Sequence, residues 1–514
     1  MTTIILRNYQ NDLADQIRGA LIRQIQCLVV RLGCGGGKTV IFSYITSGAF
    51  KKGKRVLLVA HRRELINQIS LSLARFGVKH RVVSPSDVVR GLKISHFKAY
   101  GQSYVDPLSS IVVGSVQTLV GRFDQIGDFD LVVIDEGHHA VEGTQWGKVV
   151  EQYPKAKSLI FTATPCRLDG KGLGREEGGY ADAMIQGPTE SWLIDNGYLS
   201  PYRLYTSRVM PDLSNAKHKK GGDYSDKWLA DVMNKPTIIE NAVEQWIDKA
   251  DNRLTVAYCV SRKASEELAA NFRAHGIPAM HFDSETESSQ RTRIVSDFAD
   301  GKIRVLCNVG LLTEGFDLAS IVQRDVQIDC VLDVAPTESL SLYIQKVMRC
   351  MRPRLGKVAI ILDAAGNCGQ MINGQFVVKH GFPDDEREWT LEGVKRRRDT
   401  PTNETVVSVA TCSECYHAHK PAPMCPACGF VYPKSYRVVE QVSGDLVEIG
   451  ANDRAIAKQQ AEMAKQEVIR QKKAEQGQAE TLDDLIALGK QRGYKYPKNW
   501  AERIFKFRSQ KKRA

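Results

Sequence analysis

The sequence lacks the features that would place the chain in a membrane or in the secretory pathway. None of its apolar runs reaches the roughly 18 residues of a membrane-spanning helix. Near the start, Arg7, Asn8 and Gln10 interrupt the apolar stretch that a secretory signal peptide needs. We therefore expect a cytoplasmic protein with no membrane partner.

Other absences narrow the class of protein. We find no internal repeat and no nuclease or methyltransferase motif, which argues against a complete restriction enzyme in one chain. Eight of the 12 cysteines are scattered singly, as expected of reduced thiols, and the other four form two Cys-x-x-Cys pairs.

The composition describes an ordinary globular protein with an excess of positive charge. With 514 residues, the chain is too long for one hydrophobic core and suggests two large domains with smaller additions. Hydrophobic residues make up 43% and charged residues 25% of the chain. The formal net charge of +12 favours a polyanionic partner.

A glycine-rich stretch near the N-terminus predicts a phosphate-binding loop. The apolar run 27–30 predicts a buried strand, which is followed by glycines, a Lys-Thr pair and the start of a helix. Backbone amides in such a loop, together with a helix N-terminus, bind phosphate. The residues assigned to this loop are Gly35, Gly36, Gly37, Lys38 and Thr39. Lys38 would reach the β- and γ-phosphates of a nucleotide and Thr39 would bind Mg²⁺, whereas the alternative is a turn that binds nothing.

An acidic pair follows the predicted strand 131–134. Asp135 is assigned to Mg²⁺, and Glu136 is assigned to orient and deprotonate the attacking water. His138 and His139 could instead indicate a metal site, but the further ligands of a zinc site are missing nearby.

Strands alternate with helical segments, which predicts an α/β fold of parallel sheets with helices on both faces. Ligands then gather at the carboxyl ends of the strands. The other predicted strands are 56–60, 111–113, 159–161, 254–260 and 305–309.

Five motifs in order resemble the first RecA-like P-loop NTPase lobe of superfamily 2 helicases. They are Gly-x-Gly-Lys-Thr, Ala-His-Arg-x-Glu-Leu, Gly-Ser-Val-Gln-Thr, Asp-Glu-x-His and Thr-Ala-Thr-Pro. The resemblance implies ATP and Mg²⁺ bound between two such lobes, predicted at 1–205 and 236–400 and joined by a linker at 206–235. Leu32 stands where the general loop pattern has glycine, so the match is to the shorter form typical of helicases.

The resemblance assigns further residues to the nucleotide. Arg7 and Gln10 would recognise the adenine, although the same residues also fit an ordinary helix start. Asp317, after the strand 305–309, would contact the ribose, and Gly315 would let a nucleic-acid backbone come close; the alternative is an ordinary loop.

Gln345, Arg349 and Arg352 follow in the second lobe. On a helix, arginines three residues apart share a face, so both could point into the cleft and stabilise the transferred phosphoryl group. The alternative is a surface cation pair. Met348 stands where the helicase pattern has glycine.

Two segments of the chain narrow the resemblance further. The segments 164–172 and 362–389 resemble the RadD group of bacterial and phage DNA repair helicases.

Downstream, Cys412, Cys415, Cys425 and Cys428 predict a structural zinc ribbon at 405–435, because four thiolates in two close pairs suit tetrahedral Zn²⁺.

The segment 450–514 predicts a helical, basic nucleic-acid-binding tail. Residues 490–514 contain ten Lys or Arg and one acid, interleaved with aromatics that could stack on bases. The alternative is a small helical hairpin whose aromatics form its own core. Upstream of it, Thr481 to Asp484 resembles a capping box, which predicts that a short helix starts there.

Together these patterns predict an ATP-dependent superfamily 2 DNA helicase or translocase acting in replication, recombination or repair. Its expected partner is single-stranded or branched DNA, with a replication or repair protein as a further candidate. The alternatives are a DNA-stimulated ATPase that remodels protein–DNA complexes without strand separation, and an RNA helicase. A binding module with a degenerate motor is disfavoured, because Lys38, Thr39, Asp135 and Glu136 are all present.

Overall fold

The protein is described by a computed structural model with side chains. The structure describes residues 4–207, 218, 223–225, 228–229, 233, 236–312, 318–322, 324–372, 375–393, 410–411, 418–419, 446–449, 479, 481–491, 498, 501–502 and 505.

The first lobe is a seven-stranded parallel sheet with helices. Its strands are β1 (Cys27–Arg31), β2 (Val56–Ala60), β3 (Arg81–Val83), β4 (Ile111–Ser115), β5 (Leu131–Asp135), β6 (Lys157–Thr162) and β7 (Ala183–Gln186). Its helices are α1 (Asn8–Ile22), α2 (Lys38–Lys51), α3 (Arg63–Arg75), α4 (Ser86–Tyr100), α5 (Val116–Leu119), α6 (Gln145–Gln152) and α7 (Glu190–Asp195). The strand order is β3-β4-β2-β5-β6-β1-β7, and each neighbouring pair is parallel.

The sequence explains why these strands lie in the middle of the lobe. All residues of β1, β2, β4 and β5 are buried, as expected for apolar runs covered by helices on both faces. The five predicted strands of this lobe are therefore confirmed. In the sheet, β6 separates β1 from β5, so the loop after β1 and the acidic pair after β5 lie close together at the carboxyl edge.

The second lobe repeats the architecture. Its strands are β8 (Tyr202–Ser207), β9 (Thr255–Tyr258), β10 (Ala279–Phe282), β11 (Val305–Asn308), β12 (Cys330–Asp333) and β13 (Ala359–Asp363). Its helices are α8 (Pro236–Lys249), α9 (Arg262–Ala274), α10 (Ser288–Ala299), α11 (Leu318–Val322) and α12 (Leu340–Val347).

Further short strands follow along the chain. Two hairpins follow, β14 (Gly369–Ile372) with β15 (Gln375–Val378) and β16 (Ala410–Thr411) with β17 (Ala418–His419). The strand β18 (Leu446–Ile449) completes the second sheet, whose order is β10-β11-β9-β12-β13-β8-β18. The two predicted parallel-sheet lobes are confirmed.

The chain enters the second sheet earlier than the sequence predicted. The strand β8 pairs in parallel with β13, although its first residues fall in the range predicted for the first lobe. Part of the predicted linker is also packed: Tyr224 is buried, and the backbone amide of Glu338 donates to Asp223 at 2.9 Å. The boundary between the lobes is set by the pairing of β8 with the distant β13, which local composition does not indicate.

The C-terminal unit, residues 449–514, contains the helix α13 (Leu482–Gln491). Its predicted capping box is confirmed, because the backbone amide of Asp484 donates to Thr481 Oγ1 at 3.1 Å and that of Thr481 donates to Asp484 Oδ2 at 2.9 Å. Leu485 and Ala501 are fully buried, so the described residues contain a small core of their own.

The polar and aromatic residues of this tail are described only in part. Lys490 and Lys498 are exposed. Most of the predicted stacking aromatics lie outside the described residues, as do the cysteines of the predicted zinc ribbon. Within the described ranges, none of the helices has the length and apolarity to cross a membrane.

Candidate active site

The predicted phosphate loop connects β1 to α2, which begins at Lys38. Gly35 and Gly37 adopt left-handed backbone angles, with φ of 79° and 88°, which glycine tolerates at little cost. A Cβ atom on Gly37 would collide with the amide of Gln10. The loop therefore requires glycine at the positions where the sequence has it.

Two side chains of α1 hold this loop. Gln10 Nε2 donates to the carbonyl oxygen of Gly36 at 3.2 Å, and its Oε1 accepts from the backbone amide of Arg7 at 3.1 Å. Tyr9 Oη donates to the same Gly36 carbonyl at 2.8 Å. In this structure Gln10 thus contacts the loop backbone, and its predicted recognition of adenine stays a prediction.

An aromatic group that the sequence did not reveal lies beside α1. The rings of Trp192 and Tyr198 stack with their centroids 5.7 Å apart, and Tyr9 meets both edge-on. The Arg7 guanidinium lies 4.7 Å from the centroid of the Tyr198 ring. Trp192 and Tyr198 carry no recognisable motif, and only the tertiary fold brings them to Tyr9.

The acidic pair lies directly across from the loop. Glu136 follows β5 in a left-handed conformation, with φ of 51° and ψ of 44°, which costs a non-glycine residue about 1 kcal/mol or more. Lys38 Nζ lies 3.8 Å from Glu136 Oε1, and both side chains are largely buried. The strained backbone therefore points the Glu136 carboxylate at the phosphate loop.

The electrostatics of the acidic pair, Asp135 and Glu136, favour a bound cation. Burial raises the pKa of Asp135, and the charge of Glu136 raises it further, to about 6. Burial alone would lower the pKa of Lys38, but the negative charges around it, Glu136 first, outweigh this effect and raise it. The Asp135 carboxylate and the Thr39 hydroxyl are oxygen ligands of the kind that Mg²⁺ takes, so these two residues would hold the ion.

The second lobe contributes directly to this site through α12. Gln345 Nε2 donates to Glu136 Oε2 at 3.2 Å, and both groups are buried. Ser341 on the same helix makes a hydrogen bond of 2.6 Å between its Oγ and Thr164 Oγ1. The structure therefore joins predicted residues of both lobes at one carboxylate.

The two predicted arginines lie past the end of the α-helix, and residues three apart also line up in a 3-10 turn, so their shared direction into the cleft stays a prediction. The helix α12 ends at Val347, Arg349 lies in a short 3-10 turn, and Arg352 follows that turn. Burial raises the pKa of the Cys34 thiol to about 11, and Arg349 is close enough for its positive charge to act against that rise. Arg349 thus lies within electrostatic range of Cys34 in the phosphate loop, while the backbone carbonyl of Arg352 accepts from Ser200 Oγ at 3.0 Å.

Other contacts join the two lobes at the same edge. Arg62 Nη1 donates to the carbonyl of Leu311 at 2.9 Å, and Arg291 Nη1 lies 3.6 Å from Glu64 Oε1. Both Arg62 and Glu64 belong to the Ala-His-Arg-x-Glu-Leu motif. The motif was visible in the sequence, but the interlobe role of these side chains was not.

Some predicted site residues cannot be placed. Asp317 and Gly315 lie outside the described residues, as do Cys412, Cys415, Cys425 and Cys428. In the part of the chain that the structure describes, no group of three or more His, Cys, Asp or Glu could hold a metal ion. His138 and His139 pack against each other with ring centroids 4.1 Å apart.

A buried lysine fixes the helix that carries Gln345. Lys346 Nζ donates to Asp333 Oδ1 at 2.7 Å and to the carbonyl of Ala335 at 2.8 Å. Asn367 Nδ2 donates to Asp333 Oδ2 at 2.9 Å, and Asp333 is fully buried. This network anchors α12 to the carboxyl edge of the second sheet.

Lys346→Met is expected to lower the free energy of unfolding by about 3 to 5 kcal/mol, because it leaves the Asp333 carboxylate buried without its cation. Urea denaturation followed by circular dichroism measures the loss. Lys302→Met removes an exposed lysine of the same lobe and should leave the transition where it is. Equal transitions for Lys346→Met and the wild type would mean that the buried pair contributes nothing to the lobe.

Comparisons with known proteins agree with this geometry. Residues 3–167 match the family described as type III restriction enzyme, res subunit, and residues 235–354 match the helicase conserved C-terminal domain. A 51.5 kDa protein of a Lactococcus phage is 33% identical over 402 residues, which cover 77% of this chain and 76% of that protein.

Two more distant similarities complete the comparison. IRC3 of Saccharomyces cerevisiae, a candidate ATP-dependent helicase, is 28% identical over 68% of this chain, which spans about half (49%) of the yeast protein. The Pyrococcus furiosus Hef helicase domain is 18% identical, with a TM-score of 0.42, over 70% of this chain and 96% of that one.

A phosphate loop, an acidic pair and a second parallel-sheet lobe meeting at one edge define a nucleoside triphosphatase built from two lobes. The chain belongs to the superfamily 2 helicases, and it is an ATP-dependent helicase.

Proposed function

We propose that the protein moves on DNA by hydrolysing ATP between its two lobes, in replication, recombination or repair. The hydrogen bond from Gln345 to Glu136 is the observation that carries this proposal. It places a residue of the second lobe on the carboxylate assigned to catalysis in the first, so the complete site exists only while the lobes are together. Hydrolysis and lobe movement are then coupled.

Each residue has a distinct part in the proposed reaction. Lys38 and the loop amides bind the phosphates, Glu136 orients the attacking water and accepts its proton, and Gln345 holds Glu136. Arg349 stabilises the charge on the transferred phosphoryl group from the second lobe. Mg²⁺, bound by Asp135 and Thr39, would neutralise charge on the phosphates.

Several features support DNA as the polymer along which the protein moves. The chain carries a formal charge of +12, and Lys490 and Lys498 of the C-terminal unit are exposed. The family matched by the first lobe is described as a restriction enzyme subunit, and restriction enzymes act on DNA. The predicted zinc ribbon, the basic tail as a DNA-binding element, the bounds of the domains and membership of the RadD group remain part of this proposal.

Removal of streptavidin from biotinylated single-stranded DNA tests movement directly. We expect ATP-dependent displacement by the wild type and none by Lys38→Ala, because the variant lacks the phosphate-binding amine. A parallel assay separates the strands of forked DNA and forked RNA duplexes.

The pair of assays separates the alternatives. Streptavidin displacement without strand separation would favour a remodelling ATPase, and activity on RNA alone would favour an RNA helicase. Inactivity in both assays, in a preparation that hydrolyses ATP, would contradict the proposed movement.

A further inference from the structure

A buried ion pair lies beneath the phosphate loop. Arg31, the last residue of β1, pairs through Nη2 with Glu190 Oε2 at the start of α7, and both side chains are 4% exposed. Arg31 also donates through Nε to the carbonyl of Ala163 at 3.2 Å. The pair thus links β1, the strand before the phosphate loop, to Ala163, which directly follows β6.

The Glu190 carboxylate packs directly on the loop backbone. A Cβ atom added to Gly33 would lie only 2.6 Å from Glu190 Oε1. Gly33 in turn accepts through its carbonyl oxygen a hydrogen bond of 3.1 Å from the amide of Gly36. A shift of the carboxylate therefore moves the base of the loop that binds phosphate.

A segment from the second lobe covers this pair. We call residues 384–393 the return segment, because it follows β15 and runs back along the first lobe. At its start, Asp384 accepts a hydrogen bond from Tyr202 of β8 in the second sheet. Further along, Trp389 is 4% exposed, and the Arg31 guanidinium lies 5.8 Å from the centroid of its ring.

Backbone contacts fix the return segment on the first lobe. Gln186 Nε2 donates to the carbonyl of Trp389 at 3.1 Å. The amide of Gly174 donates to the carbonyl of Leu391, and that of Gly172 to Glu392, each at 2.9 Å. A Cβ atom on Gly172 would collide with the Leu391 carbonyl, so glycine permits this close approach.

We propose that Glu190 is a positioning residue for ATP hydrolysis: held by Arg31, whose guanidinium packs against Trp389, it fixes the base of the phosphate loop at Gly33. The return segment then ties the loop to the second lobe by a route that does not pass through the nucleotide. Buried ion pairs contribute little net stability compared with apolar pairs of similar volume, so stability alone does not account for this one. The positioning role rests on the nucleotide site proposed above.

Steady-state ATP hydrolysis over a range of ATP concentrations tests the role, with melting temperatures recorded for every variant. Glu190→Gln should raise KM for ATP about tenfold and also lower the melting temperature, because Arg31 stays charged and buried. Combining Arg31→Met with Glu190→Leu should restore the melting temperature but keep KM raised. Trp389→Leu should raise KM by a smaller factor, about threefold.

Lys54→Met serves as the control, because it breaks an exposed ion pair of the same lobe with Asp130 and should change neither quantity. Recovery of both the melting temperature and KM in the double variant would overturn the positioning role and leave the pair purely structural. If the wild type hydrolysed no ATP, the proposed function would fail instead. Binding of a fluorescent ATP analogue by the same variants would then decide the role of Glu190.

Discussion

Glu136→Gln is expected to lower ATP turnover by about 10²- to 10⁴-fold, the contribution typical of a general base, while ATP still binds. Glutamine keeps the shape of the side chain and can still accept the hydrogen bond from Gln345. It cannot take a proton from water. Turnover at saturating ATP, together with the affinity for a fluorescent ATP analogue, measures the two effects separately.

The control for this variant is Glu142→Gln, the same substitution at an exposed glutamate of the first lobe. It should leave turnover and affinity unchanged. Near-normal turnover by Glu136→Gln would show that another group activates the water. The backbone strain at Glu136 would then have no catalytic explanation.

Arg349→Ala is expected to lower ATP turnover by about 10³- to 10⁵-fold, which is the range for an arginine that stabilises the transferred phosphoryl group. The structure places Arg349 near the phosphate loop, where its charge acts on Cys34. Because the arginine belongs to the second lobe, its loss should affect turnover far more than ATP affinity. Stopped-flow measurement of phosphate release gives the turnover.

Arg354→Ala is the matched control, since Arg354 is half-exposed and pairs with Asp329 at 3.0 Å. Arg352→Ala tests the second predicted arginine in the same assay. If Arg349→Ala behaved like Arg354→Ala, the catalytic charge would have to come from Arg352 or from elsewhere in the chain.

The parts of the site that were predictable from sequence are those formed by residues adjacent in the sequence. The strand, glycines and Lys38–Thr39 form a local pattern whose physical requirements can be recognised in a sequence. The same holds for Asp135 and Glu136, which directly follow a buried apolar strand. Parallel strands then bring both segments to one edge of the sheet.

The parts that were missed depend on tertiary contacts. Nothing near Glu190 or Trp389 in the sequence indicates that they meet at Arg31, because the three residues lie in segments far apart along the chain. The pairing of β8 with β13 is equally invisible locally. The end of α12 was missed for another reason: helix periodicity was extended past Val347, where the α-helix gives way to a 3-10 turn.

ATP hydrolysis by the purified wild-type protein, measured without nucleic acid and with single-stranded DNA, duplex DNA, forked DNA or single-stranded RNA, tests the coupling of the lobes most directly. Lys38→Ala serves as the inactive reference. We expect strong stimulation by DNA and a low rate without it, because the second lobe must bring Gln345 and Arg349 to the site. Equal ATP hydrolysis rates with and without every nucleic acid would contradict a motor whose catalytic site is assembled only when nucleic acid is bound.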